Sequence, residues 1–222
     1  MTEDTLDLWS ICLTEHMEHA STLADLLSCK EKTRAARFHS PLHAQRFIVA
    51  HGLLRQILSR YTDTAPDQLI FASTPHEKPF LQAPAGLLQF NLSHSEDRLL
   101  IAVTSQVAVG VDIEKIRSDV DHGIAERYFH PDAYARLKAL PEAQRVPAFF
   151  QLWTGKEAVI KMTGKGLAHS LATFSLEWAN RQSVTLKTGQ PCHLTALAIA
   201  PDYAAAVAVG GHPPRIIEKS LK

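Results

Sequence analysis

The chain has 222 residues, 45% apolar and 21% charged, and its 23 basic residues are cancelled by 23 acidic ones. That apolar content supports one substantial core or two small lobes, and the charge balance argues against a protein that binds nucleic acid or a membrane surface through a global field, so any anion site must be local. Cys12, Cys29 and Cys192 are dispersed and lack CxxC spacing, against a disulfide framework or a thiolate metal site. No apolar run approaches the ~18 residues of a membrane span, and Thr2-Glu3-Asp4 is acidic where a signal peptide is basic. A cytoplasmic protein is expected.

In chain order, residues 5–14 read as a first strand, and residues 23–38 have helical spacing with basic Lys30, Lys32, Arg34 and Arg37. A stronger helix is predicted over 41–61, where Phe47, Ala50, Leu53, Leu54, Ile57 and Leu58 keep a 3.6-residue rhythm behind Pro41; Arg46 lies near its start. Residues 68–88 hold short strands broken by Pro75, Pro79 and Pro84, and 90–113 hold strand signals interrupted by polar turns at 93–97 and 105–106. Helices are predicted over 125–140 and 146–162, and strands over 174–178, 183–187, 193–200 and 204–209. The tail with Pro213-Pro214 is expected to be peripheral.

Two segments carry chemistry. In Gly110-Val111-Asp112-Ile113-Glu114 the acids are two apart in a strand, so the pleat points both the same way. In the helix that holds Trp153, Glu157 and Lys161, these three recur every four residues on one face. Taken separately, they also fit the wet face of a half-buried sheet and an ordinary surface ion pair. If helix and strand meet, three carboxylates converge beside a lysine, a set suited to one hard divalent ion such as Mg²⁺ with positions open to phosphate oxygens and water.

Gly-Val-Asp-Ile-Glu at 110–114 followed by Trp-x-x-Lys-Glu-Ala-x-x-Lys at 153–161 resembles the paired signature of the 4′-phosphopantetheinyl transferases. The resemblance extends in order through Arg37-Phe38, Arg46, Arg55, Lys78-Pro79, Asn91-Leu92-Ser93-His94-Ser95, Arg127-Tyr128-Phe129 and Gly164-Lys165-Gly166-Leu167. It is closest in length and order to the longer, surfactin-synthetase type. It implies an α+β fold, a single chain of two similar lobes related by pseudo-two-fold symmetry, with the active cleft between them. The lobes would be residues 1–105, on the coenzyme A 3′-phosphate side, and 106–222, with the metal and catalytic residues. Such a chain forms its own cleft and is expected to be a monomer.

The implied reaction transfers the phosphopantetheine arm of coenzyme A to a serine of an apo acyl or peptidyl carrier protein. By resemblance Asp112, Glu114 and Glu157 hold Mg²⁺, Arg46 and His94 meet the 3′-phosphate with Arg34 assisting, and Lys78, Ser93 and Lys161 lie along the diphosphate. Lys161 also stabilises charge on the leaving group, and the base is either Glu157 or a water positioned at the metal by a carboxylate. Lys156 points about 100° away from Glu157 around the helix, which suits a role in orienting the opposite strand or loop. Two positions depart from the family pattern: Glu77 stands where a glycine is common before Lys-Pro, and Ala133 where a glutamate is usual, with Asp132 one position early. A Mg²⁺-dependent phosphohydrolase and a carrier-binding module without turnover are the alternatives. The carrier surface is expected over 125–140, with Arg127, Arg136 and Lys138.

Overall fold

In the computed structural model the described residues are 5–119, 122–165, 176, 181–185 and 191–221. The first half opens with β1 (Thr5–Cys12), a 3-10 segment (Leu13–His19) and two short helices, α1 (Ala20–Asp25) and α2 (Cys29–Ala35). The long α3 (Pro41–Thr62) is followed by β2 (Ile70–Ser73), β3 (Pro79–Ala83), β4 (Leu88–Ser95) and β5 (Arg98–Ser105). The second half has β6 (Val109–Lys115), α4 (His122–Tyr128), α5 (Pro131–Ala139), the long α6 (Glu142–Thr163), β7 (Arg181–Thr185), β8 (Pro191–Leu197), β9 (Tyr203–Gly210) and β10 (Arg215–Lys219).

Two four-stranded sheets result, ordered β10-β1-β5-β4 and β6-β9-β8-β7, beside a small β2-β3 hairpin. The succession strand, 22-residue helix, antiparallel pair occurs twice: β1, α3, β4 and β5 pair in the order β1-β5-β4, as β6, α6, β8 and β9 pair in the order β6-β9-β8. This is the α+β architecture of two similar lobes, and the duplication lies in topology without an accompanying sequence repeat.

Strand periodicity sorts the core. Trp9, Ile11, Leu99, Ile101 and Val103 face α3. The alternate residues Leu6, Leu8, Leu100 and Ala102 pack against Val109, Val111, Ile113, Ala205, Val207 and Val209 of the second sheet. The remaining face of β9, Ala204, Ala206 and Ala208, packs with Phe149, Phe150, Leu152 and Val159 of α6. Strands β5 and β9 read as unbroken apolar runs because both their faces are covered.

The structure corrects four expectations. Residues 23–38 are two helices, because Ser28 and Glu31 form a capping box: the Ser28 hydroxyl accepts from Glu31 N–H while the Glu31 carboxylate accepts from Ser28 N–H. The turn placed at 93–97 is only Glu96-Asp97; Ser93, His94 and Ser95 pair with Leu100, Leu99 and Arg98 inside β4. The helix over 125–140 breaks between Tyr128 and Pro131, since a proline pushes the residue before it out of the helical region and His130 caps the next helix by accepting from Asp132 N–H. The tail is not peripheral: β10 runs parallel to β1, pairing Thr5 with Arg215 through Trp9 with Lys219, so the chain end returns to the first sheet. The strand expected over 174–178 falls, apart from buried Leu176, outside the described residues, as does Gly166-Leu167. Among the described residues no helix is long and apolar enough to cross a membrane.

Candidate active site

The site forms where β4 of the first lobe, β6 and α6 meet. On β6, Val111 and Ile113 turn into the inter-sheet core, which leaves Gly110, Asp112 and Glu114 on the other face. Gly110 lets α6 press directly onto this strand: a Cβ there would lie 2.1 Å from the Ala158 carbonyl oxygen and 2.2 Å from the Met162 nitrogen. That approach brings Lys161 onto the acids. Its Nζ donates to Asp112 Oδ1 at 2.6 Å and to Ser93 Oγ at 2.9 Å, and Ser93 Oγ donates to Asp112 Oδ1 at 2.9 Å.

Polar side chains of β4 register it against β6. Asn91 Oδ1 accepts from Val111 N–H at 2.9 Å, Ser95 Oγ accepts from Lys115 N–H at 3.1 Å, and Ser95 Oγ donates to Glu114 Oε2 at 2.9 Å. Asn91, Ser93 and Ser95 alternate along one face of β4 and so repeat the logic of Asp112 and Glu114. That alternation is the signal available in the sequence for the roles of Asn91 and Ser95, which reading the stretch as a turn conceals.

The acids interact. Burial raises the Glu114 carboxyl above its ordinary pKa; Ser95 and Lys161 pull it down while Asp112 pushes it up. Burial raises Glu157 too, with Asp112 and Glu114 adding to the effect and Lys161 opposing it. Asp112 Oδ2 is buried with no hydrogen-bond partner among the described residues, a costly state for a carboxylate oxygen. As the side chains stand, no three His, Cys, Asp or Glu among the described residues are gathered closely enough to enclose a cation. Lys161 is the cation in contact with Asp112.

A basic cluster adjoins these acids. His94 is open to solvent yet enclosed by surrounding atoms, and that enclosure pushes its pKa down to about 4, helped by His51, Lys161, Arg46 and Arg34. The structure thus brings together Arg34, Arg46, Ser93, His94 and Lys161, and adds His51, whose ring stacks 4.0 Å from Phe47. Arg46 donates to Glu96 at 2.9 Å, and Arg34 lies 5.4 Å over the Phe47 ring. Helix α2, which carries Arg34, is tied to α3 through Glu31. The Glu31 carboxylate receives Nε and Nη2 of fully buried Arg55 at 3.0 and 2.6 Å and lies 3.4 Å from His51. Burial pushes the Glu31 pKa up, but the hydrogen bonds from His51, Arg55 and Ser28 outweigh it and bring it down to about 2.

Lys78 contacts the main chain where β6 meets the end of α6. Its amine donates to the carbonyls of Val109 and Met162, both at 3.0 Å, clamping β6 to the end of α6, and burial lowers its pKa to about 8. Glu77 has φ 64, a left-handed backbone that glycine adopts at less cost. Ala133 is fully buried in the core against α6, where a glutamate would need a partner for its charge. Lys156 is buried with its amine 5.8 Å over the Phe129 ring, and burial lowers its pKa to about 8. Trp153 stacks 5.9 Å from Phe149 as a packing residue. On the expected carrier surface Arg127, Tyr128 and Lys138 are exposed, whereas Arg136 donates to the Leu176 carbonyl at 3.1 Å.

Residues 108–208 match the family model of the 4′-phosphopantetheinyl transferase superfamily, and residues 13–106 that of the 4′-phosphopantetheinyl transferase N-terminal region. The chain is 38% identical over 212 residues to the 4′-phosphopantetheinyl transferase HetI of Nostoc, a match covering 94% of this chain and 89% of that protein. It is 34% identical over 189 residues to psf-1 of Bacillus pumilus, covering 83% and 79%. With the transferase Sfp of Bacillus subtilis it shares 28% over 199 residues, covering 88% and 87%.

Proposed function

Because the chain belongs to the 4′-phosphopantetheinyl transferase superfamily, we propose that it transfers the phosphopantetheine arm of coenzyme A to a serine of an apo acyl or peptidyl carrier protein by metal-assisted phosphoryl transfer. The observation that carries this reading is the contact of Lys161 with Asp112 and Ser93 where three interacting acids adjoin a basic cluster.

Asp112, Glu114 and Glu157 are the residues to hold Mg²⁺. The fit is chemical: the donors are all oxygens, Asp112 Oδ2 is buried without a hydrogen-bond partner among the described residues, and Asp112 raises the pKa of both Glu114 and Glu157. When bound, the ion neutralises charge on the diphosphate and on the departing adenosine 3′,5′-bisphosphate. Arg46, His94 and Arg34 hold the 3′-phosphate, where charge-assisted hydrogen bonds are strong. Ser93 and Lys161 orient the diphosphate; an ammonium has three donors, and two of those on Lys161 are already aimed by Ser93 and Asp112. The carrier serine oxygen bonds to phosphorus as the bond to the leaving phosphate oxygen breaks. Glu157, or a water that a carboxylate positions, accepts the serine proton. Lys78 serves by holding β6 against α6, and the exposed Arg127, Tyr128 and Lys138 offer a basic, partly apolar surface to an acidic carrier. A cytoplasmic monomer suits three free cysteines and a site built within one chain.

Asp112→Ala and Glu157→Ala test the acids. Each should abolish transfer while the protein stays folded and still binds coenzyme A, and wild-type transfer in either variant would refute the metal-site reading. Arg46→Ala should raise the coenzyme A concentration required far more than it lowers the maximal rate.

A further inference from the structure

Glu96 and Asp97 are the two-residue turn between β4 and β5, directly after Ser93-His94-Ser95. Asp97 anchors that turn: its carbonyl accepts from Leu13 N–H at 2.7 Å, and its carboxylate accepts from the Tyr203 hydroxyl of the second lobe. Glu96 has a different situation. Its φ is 50, in the left-handed region, where a glycine would sit without strain, and its side chain, 50% exposed, makes a 2.9 Å ion pair with Arg46 Nη1. The arginine is the fixed member. Its side chain is 15% exposed, rooted in α3, and its Nε is buried without a hydrogen-bond partner among the described residues. A carboxylate on a short turn therefore pairs with a largely buried guanidinium that has donor capacity left over, close to His94, on which Arg34, His51 and Lys161 also act.

From this we infer that Glu96 is a built-in competitor of the 3′-phosphate for Arg46, and so a determinant of how strongly this protein favours ligands that carry that phosphate; the inference rests on the assignment of Arg46 to the 3′-phosphate. A phosphate monoester brings almost two negative charges to the guanidinium, and Glu96 must swing into water or repel it. The exposed turn makes that movement cheap. Coenzyme A and the product adenosine 3′,5′-bisphosphate carry the same 3′-phosphate, so Glu96 weakens both and hastens product departure. Removing its charge does not unpin the turn, which Asp97 holds.

The test is calorimetric titration of coenzyme A, 3′-dephospho-coenzyme A and adenosine 3′,5′-bisphosphate into the wild-type protein, Glu96→Gln, Glu96→Gly, Arg46→Ala and the Arg46→Ala/Glu96→Gln double variant, with thermal melts to verify folding. Both Glu96 variants should bind the two 3′-phosphorylated ligands roughly two- to fivefold more tightly, the range a half-exposed ion pair supports. Dephospho-coenzyme A should be unaffected, and Glu96→Gln should have no effect once Arg46 is alanine. Unchanged or weaker binding of coenzyme A in the Glu96 variants would overturn the proposal by making Glu96 a support for Arg46, and equal tightening of all three ligands would overturn it as a general charge effect. If the wild-type protein does not distinguish coenzyme A from its dephospho form and Arg46→Ala changes neither, the 3′-phosphate assignment fails and the competitor role fails with it. Discrimination that depends on Arg46 but is indifferent to Glu96 overturns the competitor role alone.

Discussion

Gly110→Ala adds one methyl group at the closest approach between β6 and α6. Its carbon would meet the Ala158 oxygen at 2.1 Å, the Met162 nitrogen at 2.2 Å and the Lys161 carbonyl carbon at 2.9 Å, where ordinary contact begins near 3.4 Å. All three are main-chain atoms, so no side chain can rotate to make room. The helix must withdraw from the strand by about 1 Å, because close-packed interiors transmit such strain and do not absorb it. Overpacking of this kind costs roughly 1–3 kcal/mol, which for a chain of this size lowers the melting temperature by about 2–4 °C per kcal/mol. The larger effect is on the site, since Glu157 and Lys161 ride on the displaced helix and Asp112 on the strand. The 2.6 Å bond from Lys161 to Asp112 opens, and a misplacement near 1 Å costs on the order of 10²-fold in rate. Thermal denaturation and the rate of carrier modification, measured by intact mass on the same preparation, check both parts. A folded Gly110→Ala protein that transfers within about threefold of wild type would refute the claim that this contact sets the geometry of the acids.

Lys78→Met removes the amine shared by the Val109 and Met162 carbonyls; the stranded acceptors should cost about 1–3 kcal/mol, read as a lower midpoint in urea, and an unchanged midpoint would show that Lys78 does not clamp β6 to α6. Two groups make stability fall on the acid side. His94 is lowered from 6.5 to about 4 and Glu31 from 4.5 to about 2, so the unfolded chain binds their protons first. Their contribution is fully present above pH 6.5, His94's is lost as pH falls toward 4, and Glu31's is lost between about pH 4.5 and 2. The melting temperature of wild type should therefore fall relative to that of His94→Asn as pH drops from 6.5 to 4, and parallel curves over that window would contradict the shift. Coenzyme A binding near pH 6 should draw a proton onto His94, seen as a calorimetric enthalpy that changes with the ionisation heat of the buffer; no buffer dependence would count against phosphate contact at His94.

Periodicity makes much of this fold and site legible. The 3.6-residue rhythm of 41–61 yields α3, and the two-residue rhythm places Asp112 and Glu114 together against α6. Local rules miss what depends on caps or on partners distant in sequence. The 23–38 pattern looks continuous until Ser28 and Glu31 are seen as a capping box. Ser93-His94-Ser95 resembles a turn by composition, yet its hydroxyls are spent on Asp112, Glu114 and Lys115, about twenty residues away. The β10 strand carries no signal for its partner, because pairing with β1 joins residues some two hundred positions apart. Lys78 shows the converse: its identity suggests phosphate, while its amine is occupied by main-chain carbonyls that only the folded chain brings near.

The most direct test of the central claim is intact-mass spectrometry of apo acyl and peptidyl carrier proteins incubated with this protein, coenzyme A and Mg²⁺, with a parallel arm in excess chelator. A carrier that gains one phosphopantetheine with Mg²⁺, and gains none under chelation or with Asp112→Ala, is the predicted result. Bound coenzyme A with no carrier modified, or modification undiminished by chelator and by Asp112→Ala, would contradict it.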